Sequence, residues 1–356
     1  MDVNEMNSTF EKNTSSNSSL IQTGFTAKLI REPYPLTVIR LTLFAILFVT
    51  AIVGNACVFL APWRNARLRT FSYSLITCLA IGDFVSALGL PFILITEHLS
   101  SNWIFGQFLC QCLNPTQVVC GMVTTNVHTA ISVDRYISVA YPFKGKPKRS
   151  RKWLIFLAIW LTAILCALPA FIARKLFEIQ LPHRTVNICI EIYSSPNAQH
   201  IYSVFLFSVN YLIPILVMAV LYSRIMLLIR SVKHRRRKST PSYLSDESPC
   251  YTGYERKFIR MNIVVMLLFV LCYLPYQVFF LLMEFGIARR WKFAYLAFDY
   301  VFFVTWLPNA LSPIFYGAMD RAYARAFKVL FRTITRRLSK RKPLDSTDVD
   351  VFVKSN

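Results

Sequence analysis

The sequence predicts an all-α membrane protein, a seven-transmembrane helix bundle followed by a short amphipathic membrane-surface helix. Three observations predict it. Hydrophobic residues make up 55% of the 356-residue chain, and mean hydropathy is +0.44. The apolar residues come in blocks of about 20 to 30, long enough to cross a hydrocarbon core roughly 30 Å thick. Lys and Arg lie between these blocks, so the net charge of +22 does not describe a basic nucleic-acid-binding face. A soluble chain of this length would divide into domains joined by polar linkers. Ten glycines and 16% charged residues exclude a collagen-like or wholly disordered chain.

The blocks run 38–61, 71–97, 108–139, 153–171, 201–229, 258–285 and 293–316. Polar residues in the third and fifth predict helices packed against other helices rather than bathed in lipid. Pro214, Pro275 and Pro313 each remove a backbone hydrogen bond within spans five, six and seven. After Tyr316 comes a basic amphipathic stretch. Tyr323, Phe327, Leu330, Phe331, Ile334 and Leu338 share one face, and Arg321, Arg325, Lys328, Arg332 and Arg336 fill the rest. Such a helix lies on an anionic inner leaflet, making membrane lipids a partner. The division is a tail at 1–37, a transmembrane domain at 38–317, the amphipathic helix at 318–338 and a second tail at 339–356.

About 27 basic residues fall in the C-terminal tail and the loops after spans one, three and five, against about 10 on the other side. The positive-inside rule puts the C-terminus in the cytoplasm and the N-terminus outside a multi-pass plasma-membrane protein. Asn7, Asn13 and Asn17 each head an Asn-x-Ser/Thr triplet in a Ser/Asn-rich tail, as extracellular glycosylation would require. No basic-then-apolar leader precedes them, so span one is expected to direct its own insertion. The nine cysteines lack metal-ligand spacing, and most sit inside apolar blocks as small hydrophobes.

Charged groups at membrane depth need a reason. Asp83 lies in span two, Asp134-Arg135-Tyr136 closes span three, Glu255 opens span six and Asn55 lies within span one. With Gly54-Asn55, Leu79-Ala80-x-x-Asp83, Asp134-Arg135-Tyr136, Trp160, Pro214 with Tyr222, Phe269-x-x-Cys272-Tyr273-x-Pro275 and Ser312-Pro313-x-x-Tyr316, the chain resembles the rhodopsin-like G-protein-coupled receptors. Every span between about 38 and 335 contributes. The resemblance implies that Arg135 faces Glu255 across the cytoplasmic mouth. On ligand binding, span six swings outward about Pro275, and Arg135 approaches Tyr222 and Tyr316. A heterotrimeric G protein enters the opening, and arrestin and receptor kinases follow through the Ser/Thr-rich third loop and tail.

Two positions depart from the family's pattern: Tyr273 stands where Trp is usual and Ser312 where Asn is usual. An allosteric sodium ion shared by Asn55, Asp83, Thr124 and Ser312, which the resemblance implies, is thereby weakened; no other cofactor is expected. His128 stands where the family has an apolar residue. It is either a hydrogen-bonded bundle residue or a proton-sensitive gate. The resemblance also implies a Cys110–Cys189 disulfide, with Cys112 the competitor two positions along. Trp103-Ile-Phe105-Gly106 resembles the WxFG turn beside that bridge in many peptide receptors.

An opsin's Schiff-base lysine is replaced here by Trp306, and an amine receptor's aspartate by Gln117. Gln117, WIFG and Tyr276-Gln277 resemble neuropeptide receptors, including those for amidated Arg-Phe or Arg-Tyr peptides. The implied ligand set is Gln117, Glu97, Tyr276, Gln277, Phe280, Phe302 and Trp306. Glu97, Glu191, Glu284 and Asp299 near the outer mouth are placed to meet a cationic peptide, although Arg174, Lys175 and Arg184 share that surface. The alternatives are a constitutive or orphan receptor, a receptor for a non-peptide small molecule, and more remotely a transporter or channel, for which no inverted repeat is visible. No nucleophile–base–acid set suggests an enzyme.

Overall fold

The structure is a computed structural model, described over residues 32–98, 102–141, 149–181, 184–238 and 253–339. Asn7, Asn13 and Asn17 lie outside the described residues, as do Ser346 and Thr347 of the tail.

Seven long helices follow in order. Span one is Tyr34–Arg64, span two Phe71–His98, span three Gly106–Ala140 and span four Arg149–Ala173. Span five joins Pro196–Phe207 to Ile213–Lys238, span six is Gly253–Glu284, and span seven joins Ala294–Thr305 to Leu307–Met319. The final amphipathic helix is Arg321–Ser339. Most spans overrun their apolar blocks, because a helix continues into the headgroup layer where polar side chains are wet. Six spans are long and apolar enough to cross a membrane by composition alone. Span three is the exception, and its position explains why. Cys120, Val123, Thr124, Val127 and Ser132 are all buried by neighbouring helices, so it need not be apolar all round.

Spans five and seven are interrupted, but elsewhere than at Pro214 and Pro313, and span six runs unbroken through Pro275. In span five a wider turn occupies Ser208–Leu212, with the Ile213 N–H donating to the Ser208 carbonyl. This turn buries Tyr211, whose hydroxyl donates to the Val270 carbonyl of span six at 2.8 Å. In span seven the helix pauses at Trp306, whose N–H reaches back to Phe303. Pro308, which has no N–H to give the preceding turn, sits at the start of the second segment.

Between spans four and five the chain forms an antiparallel hairpin of β1 (Arg174–Leu181) and β2 (Arg184–Glu191), in register from Arg174 opposite Glu191 to Leu181 opposite Arg184. An all-α reading missed it. Its alternating pattern, with Leu176 opposite Cys189 and Ile179 opposite Val186, was the available signal.

Two corners fix the bundle's ends. Before span one, Glu32 accepts hydrogen bonds from Thr37 (3.0 Å), Arg40 (3.1 Å) and the Tyr300 hydroxyl of span seven. Burial alone would raise its carboxyl, but the Tyr300, Arg40 and Thr37 hydrogen bonds outweigh burial and hold it below the usual range. At the other end Asp320 turns the chain from span seven into the final amphipathic helix. Its carboxylate accepts from the Tyr73 hydroxyl and from the Ala322 N–H, while Asn65 donates to the Ala322 carbonyl at 3.1 Å. Spans one and two therefore set where the amphipathic helix begins.

Spans one and seven touch most closely at Gly54. A Cβ built there would stand 2.9 Å from both Cβ and Cγ of Pro313. Gly54→Ala is expected to force these spans apart and destabilise the purified receptor by about 1–3 kcal/mol, the usual scale of overpacking. Gly121, whose nearest neighbour to such a Cβ is 3.7 Å away, should accept Ala. Equal melting temperatures for the two variants in detergent would contradict this packing.

Candidate functional site

A cavity of about 660 Å³ opens between the ends of the helices nearest the hairpin and descends to Asp83. Its roof is fixed first by the Cys110–Cys189 disulfide, with Cα atoms 5.7 Å apart; Cys112 remains a free thiol. Backbone contacts reinforce the bridge. The Trp103 N–H donates to the Asn187 carbonyl (2.8 Å), and the Asn187 N–H donates to Asn102 Oδ1 (3.1 Å). The Trp103 indole in turn donates to Gly106, whose φ of +76° only glycine adopts without strain. The WIFG segment is thus the hairpin's mount.

Arg174 uses all of its donors on the same task. Nε and one amino group donate to Glu191 Oε1 (3.0 and 2.9 Å), the other donates to the Cys189 carbonyl (3.2 Å), and both amino groups reach the Asn114 amide oxygen of span three (2.9 and 3.1 Å). Glu191 Oε2 accepts from the Tyr193 hydroxyl at 2.9 Å. Burial, and next the Glu191 charge, push the Tyr193 phenol far above its usual range, so it stays a donor. Glu191 is therefore neutralised inside the protein rather than held ready for a cationic ligand. Glu284 is likewise engaged by Gln199 (3.2 Å) and faces His200 (3.3 Å), while Asp299 lines the cavity. Glu97 lies in the last turn of span two, and its side chain is outside the described residues.

The expected ligand residues Gln117, Tyr276, Gln277, Phe280, Phe302 and Trp306 all line this cavity. Gln117 is braced against span two: Oε1 accepts from the Ser86 hydroxyl (2.6 Å) and Nε2 donates to the Ser86 carbonyl (3.1 Å). This placement uses the space left by Gly89, since a Cβ there would stand 2.3 Å from Gln117 Nε2 and displace the amide. Tyr276 packs against Phe280, Phe298 and Phe302 at ring separations of 6.1, 5.4 and 6.1 Å, forming an aromatic wall. Phe302 meets Trp306 edge-on at 6.0 Å, and the Trp306 indole N–H has no partner among the described residues. Leaving a buried donor unpaired costs about 1–3 kcal/mol, which a ligand acceptor would relieve. Sequence reasoning missed Ser86, Asn114 and Phe298, and read Arg174 only as a cation of the mouth; their roles depend on contacts between distant segments.

At the base, Tyr273 packs on Phe269 at 4.5 Å and Phe269 on His128 at 5.5 Å. Asp83 accepts from Thr124 (3.3 Å), and Asn55 donates to the Asn309 carbonyl (2.9 Å). Ser312, in contrast, turns its hydroxyl onto Pro308 of its own helix at 2.7 Å.

At the end of the bundle away from the hairpin, Arg135 donates to both Asp134 and the Ser72 hydroxyl, while Ser72 donates to Asp134 at 2.6 Å. The guanidinium also lies over the Phe258 ring of span six, 4.8 Å from its centroid. Tyr136 and Tyr222 pack in one cluster with Ile259 and Met266 of span six, and Tyr316 stacks on Tyr323 at 5.6 Å. Glu255 lies in the first turn of span six, but its side chain is outside the described residues.

A family profile described as "7 transmembrane receptor (rhodopsin family)" matches residues 54–316. The QRFP-like peptide receptor of Branchiostoma floridae is 25% identical over 316 residues, covering 87% of this chain and 81% of that relative. The RYamide receptor of Drosophila melanogaster is 27% identical over 293 residues, covering 80% and 61%. The type-1 angiotensin II receptor of Homo sapiens is 26% identical over 303 residues, covering 82% and 80%.

The roof geometry predicts which thiols matter. Cys110→Ser and Cys189→Ser are each expected to reduce surface display or ligand binding, with a stability loss of about 2–5 kcal/mol, while Cys112→Ser is tolerated. Flow cytometry of tagged receptor on cells reads the difference, and equal tolerance of all three would refute the pairing's importance.

Proposed function

The chain belongs to the rhodopsin family of seven-transmembrane receptors, and from that premise we propose that it is a plasma-membrane receptor for an extracellular peptide that activates heterotrimeric G proteins. The observation that carries the ligand half is the outward-opening cavity, with its aromatic wall and stapled hairpin roof. Relatives named for the peptides they receive support a peptide as its occupant. The N-terminus faces outward and the C-terminus inward, in keeping with the distribution of Lys and Arg and the basic amphipathic helix.

The peptide's acceptor groups would meet the Trp306 indole and share Gln117 with Ser86, while its apolar side chains fill the wall of Tyr276, Phe298 and Phe302. Because Glu191 is already paired, a cationic side chain gains there only by displacing Arg174. Activation is a shift between two packings, so the peptide must bind the open one more tightly. Asp83 and Thr124 would hold an allosteric sodium ion; a carboxylate and one hydroxyl fit it incompletely, since Ser312 faces away. Such an ion supplies charge balance to Asp83 alone. Receptor kinases and arrestin would end the signal at Ser and Thr residues of the third loop and tail, where each phosphate adds about −1.5 to −2 charge.

Nucleotide exchange on reconstituted G proteins, challenged with a library of amidated and free-acid peptides, tests the reading. At least one peptide is expected to stimulate exchange saturably, and Arg135→Ala to abolish it while peptide binding and surface display persist. Full exchange by the Arg135→Ala receptor would overturn the mechanism. Alanine at Ser239, Thr240, Ser242, Ser346 and Thr347 should lower peptide-driven arrestin recruitment severalfold, and undiminished recruitment would exclude these residues.

A further inference from the structure

We propose that Phe258 is the residue through which span six holds Arg135 in the closed arrangement, by offering the guanidinium its ring face. The inference rests on the reading above, in which span six swings out to admit a G protein. Among the described residues, the hydrogen bonds of Arg135 go to Asp134 on its own helix and Ser72 on span two. Neither partner ties it to span six. The Phe258 ring does, at 4.8 Å from the guanidinium carbon and within the range where a cation is drawn to an aromatic face.

The ring is itself fixed. Phe258 is 3% exposed, and Tyr73 of span two meets it edge-on at 5.1 Å and 76°. Tyr73 is anchored in turn by its hydrogen bond to Asp320 and its contact with Tyr323, 5.6 Å away. Phe258 therefore occupies a slot between a tyrosine of span two and a cation of span three. An outward swing of span six must draw it from both, whereas the contacts of Arg135 with Asp134 and Ser72 can persist. A ring also restrains without a second buried charge, so it avoids the desolvation cost that a carboxylate partner incurs. Glu255 precedes Phe258 by three residues on the same helix, and substitutions separate the two restraints.

The test uses full-length receptor in nanodiscs without ligand. Spin labels at Arg151→Cys and Lys257→Cys report the separation of spans four and six, with Cys250 of the third loop and the partly exposed thiols Cys112 and Cys166 replaced by Ala. Phe258→Leu keeps an apolar side chain but removes the ring, and is expected to raise the open fraction roughly three- to tenfold. Phe258→Tyr keeps the ring and should restore the closed distribution. In an Arg135→Gln background, Phe258→Leu should add nothing further, because the interaction it removes is already gone. An unchanged distribution in Phe258→Leu would overturn the proposal. So would equal opening by Phe258→Tyr, or a full Phe258→Leu effect in the Arg135→Gln background, since either makes Phe258 a packing residue only. The label needs no G protein. Opening by Phe258→Leu without nucleotide exchange would therefore remove the G-protein reading and leave the role of Phe258 standing. Peptide-driven exchange beside an unchanged Phe258→Leu distribution would do the reverse.

Discussion

In hydrocarbon a polar side chain must find its partner on another part of the protein, and this chain concentrates that demand on span three. From the outside inward, Asn114 receives Arg174 of the hairpin, Gln117 grips Ser86 of span two, and Thr124 donates to Asp83. On its other sides, Thr125 donates to Asn210 of span five and Asn126 to Thr162 of span four. Asp134 closes the series through Ser72. Packing among TM helices has no hydrophobic drive of its own, so these contacts fix where the neighbours sit around span three. They also explain why it is the least apolar of the seven.

That arrangement makes the cavity possible. Helices held by polar pairs at several depths need not close on each other at the outer end, and the hairpin can cover the gap without filling it. Two separate attachments, the Cys110–Cys189 bridge and the Arg174 guanidinium, fix the hairpin to the top of span three. A sheet of two strands is marginal alone. Here its register brings Arg174 opposite Glu191, and the pairing of those charges is as much a product of the attachments as a cause.

What was legible in the sequence follows from how local the signal is. Spans and the Asp134-Arg135-Tyr136 end of span three are written in composition and in order along the chain. Glu191 was not legible, because an acidic residue near the outer mouth looks the same whether paired or open. Its state depends on a strand register that places Arg174, seventeen residues earlier in the chain, opposite it. Gln117 was legible as a lining residue, but its brace on Ser86 depends on the absence of a side chain at Gly89. The break at Trp306 was displaced from the expected Pro313 because Pro308 acts first. The sequence offered Glu255 as a partner for Arg135, a side chain outside the described residues; the Phe258 ring beside the guanidinium carries no charge pattern by which to be found.

The same geometry bears on how a ligand at one end reaches the switch at the other. Tyr276 in the aromatic wall stands three residues above Tyr273, which rests on Phe269, which rests on His128 of span three. Phe269 and Phe258 are on one helix, eleven residues or about three turns apart, a spacing that returns them to similar faces. A small rotation of span six imposed at Tyr276 therefore moves both the ring on His128 and the ring on Arg135. With Tyr273 in place of a larger indole, the wall can shift without driving a bulkier ring into span three. The helix itself is weakened at Pro275, between the two ends, so rotation above and swing below are not bound to be equal. In the proposed swing of span six, coupling would require Phe269 to stay in contact with His128 until Phe258 has left Arg135, since release in the opposite order would let the cavity end move without opening the other.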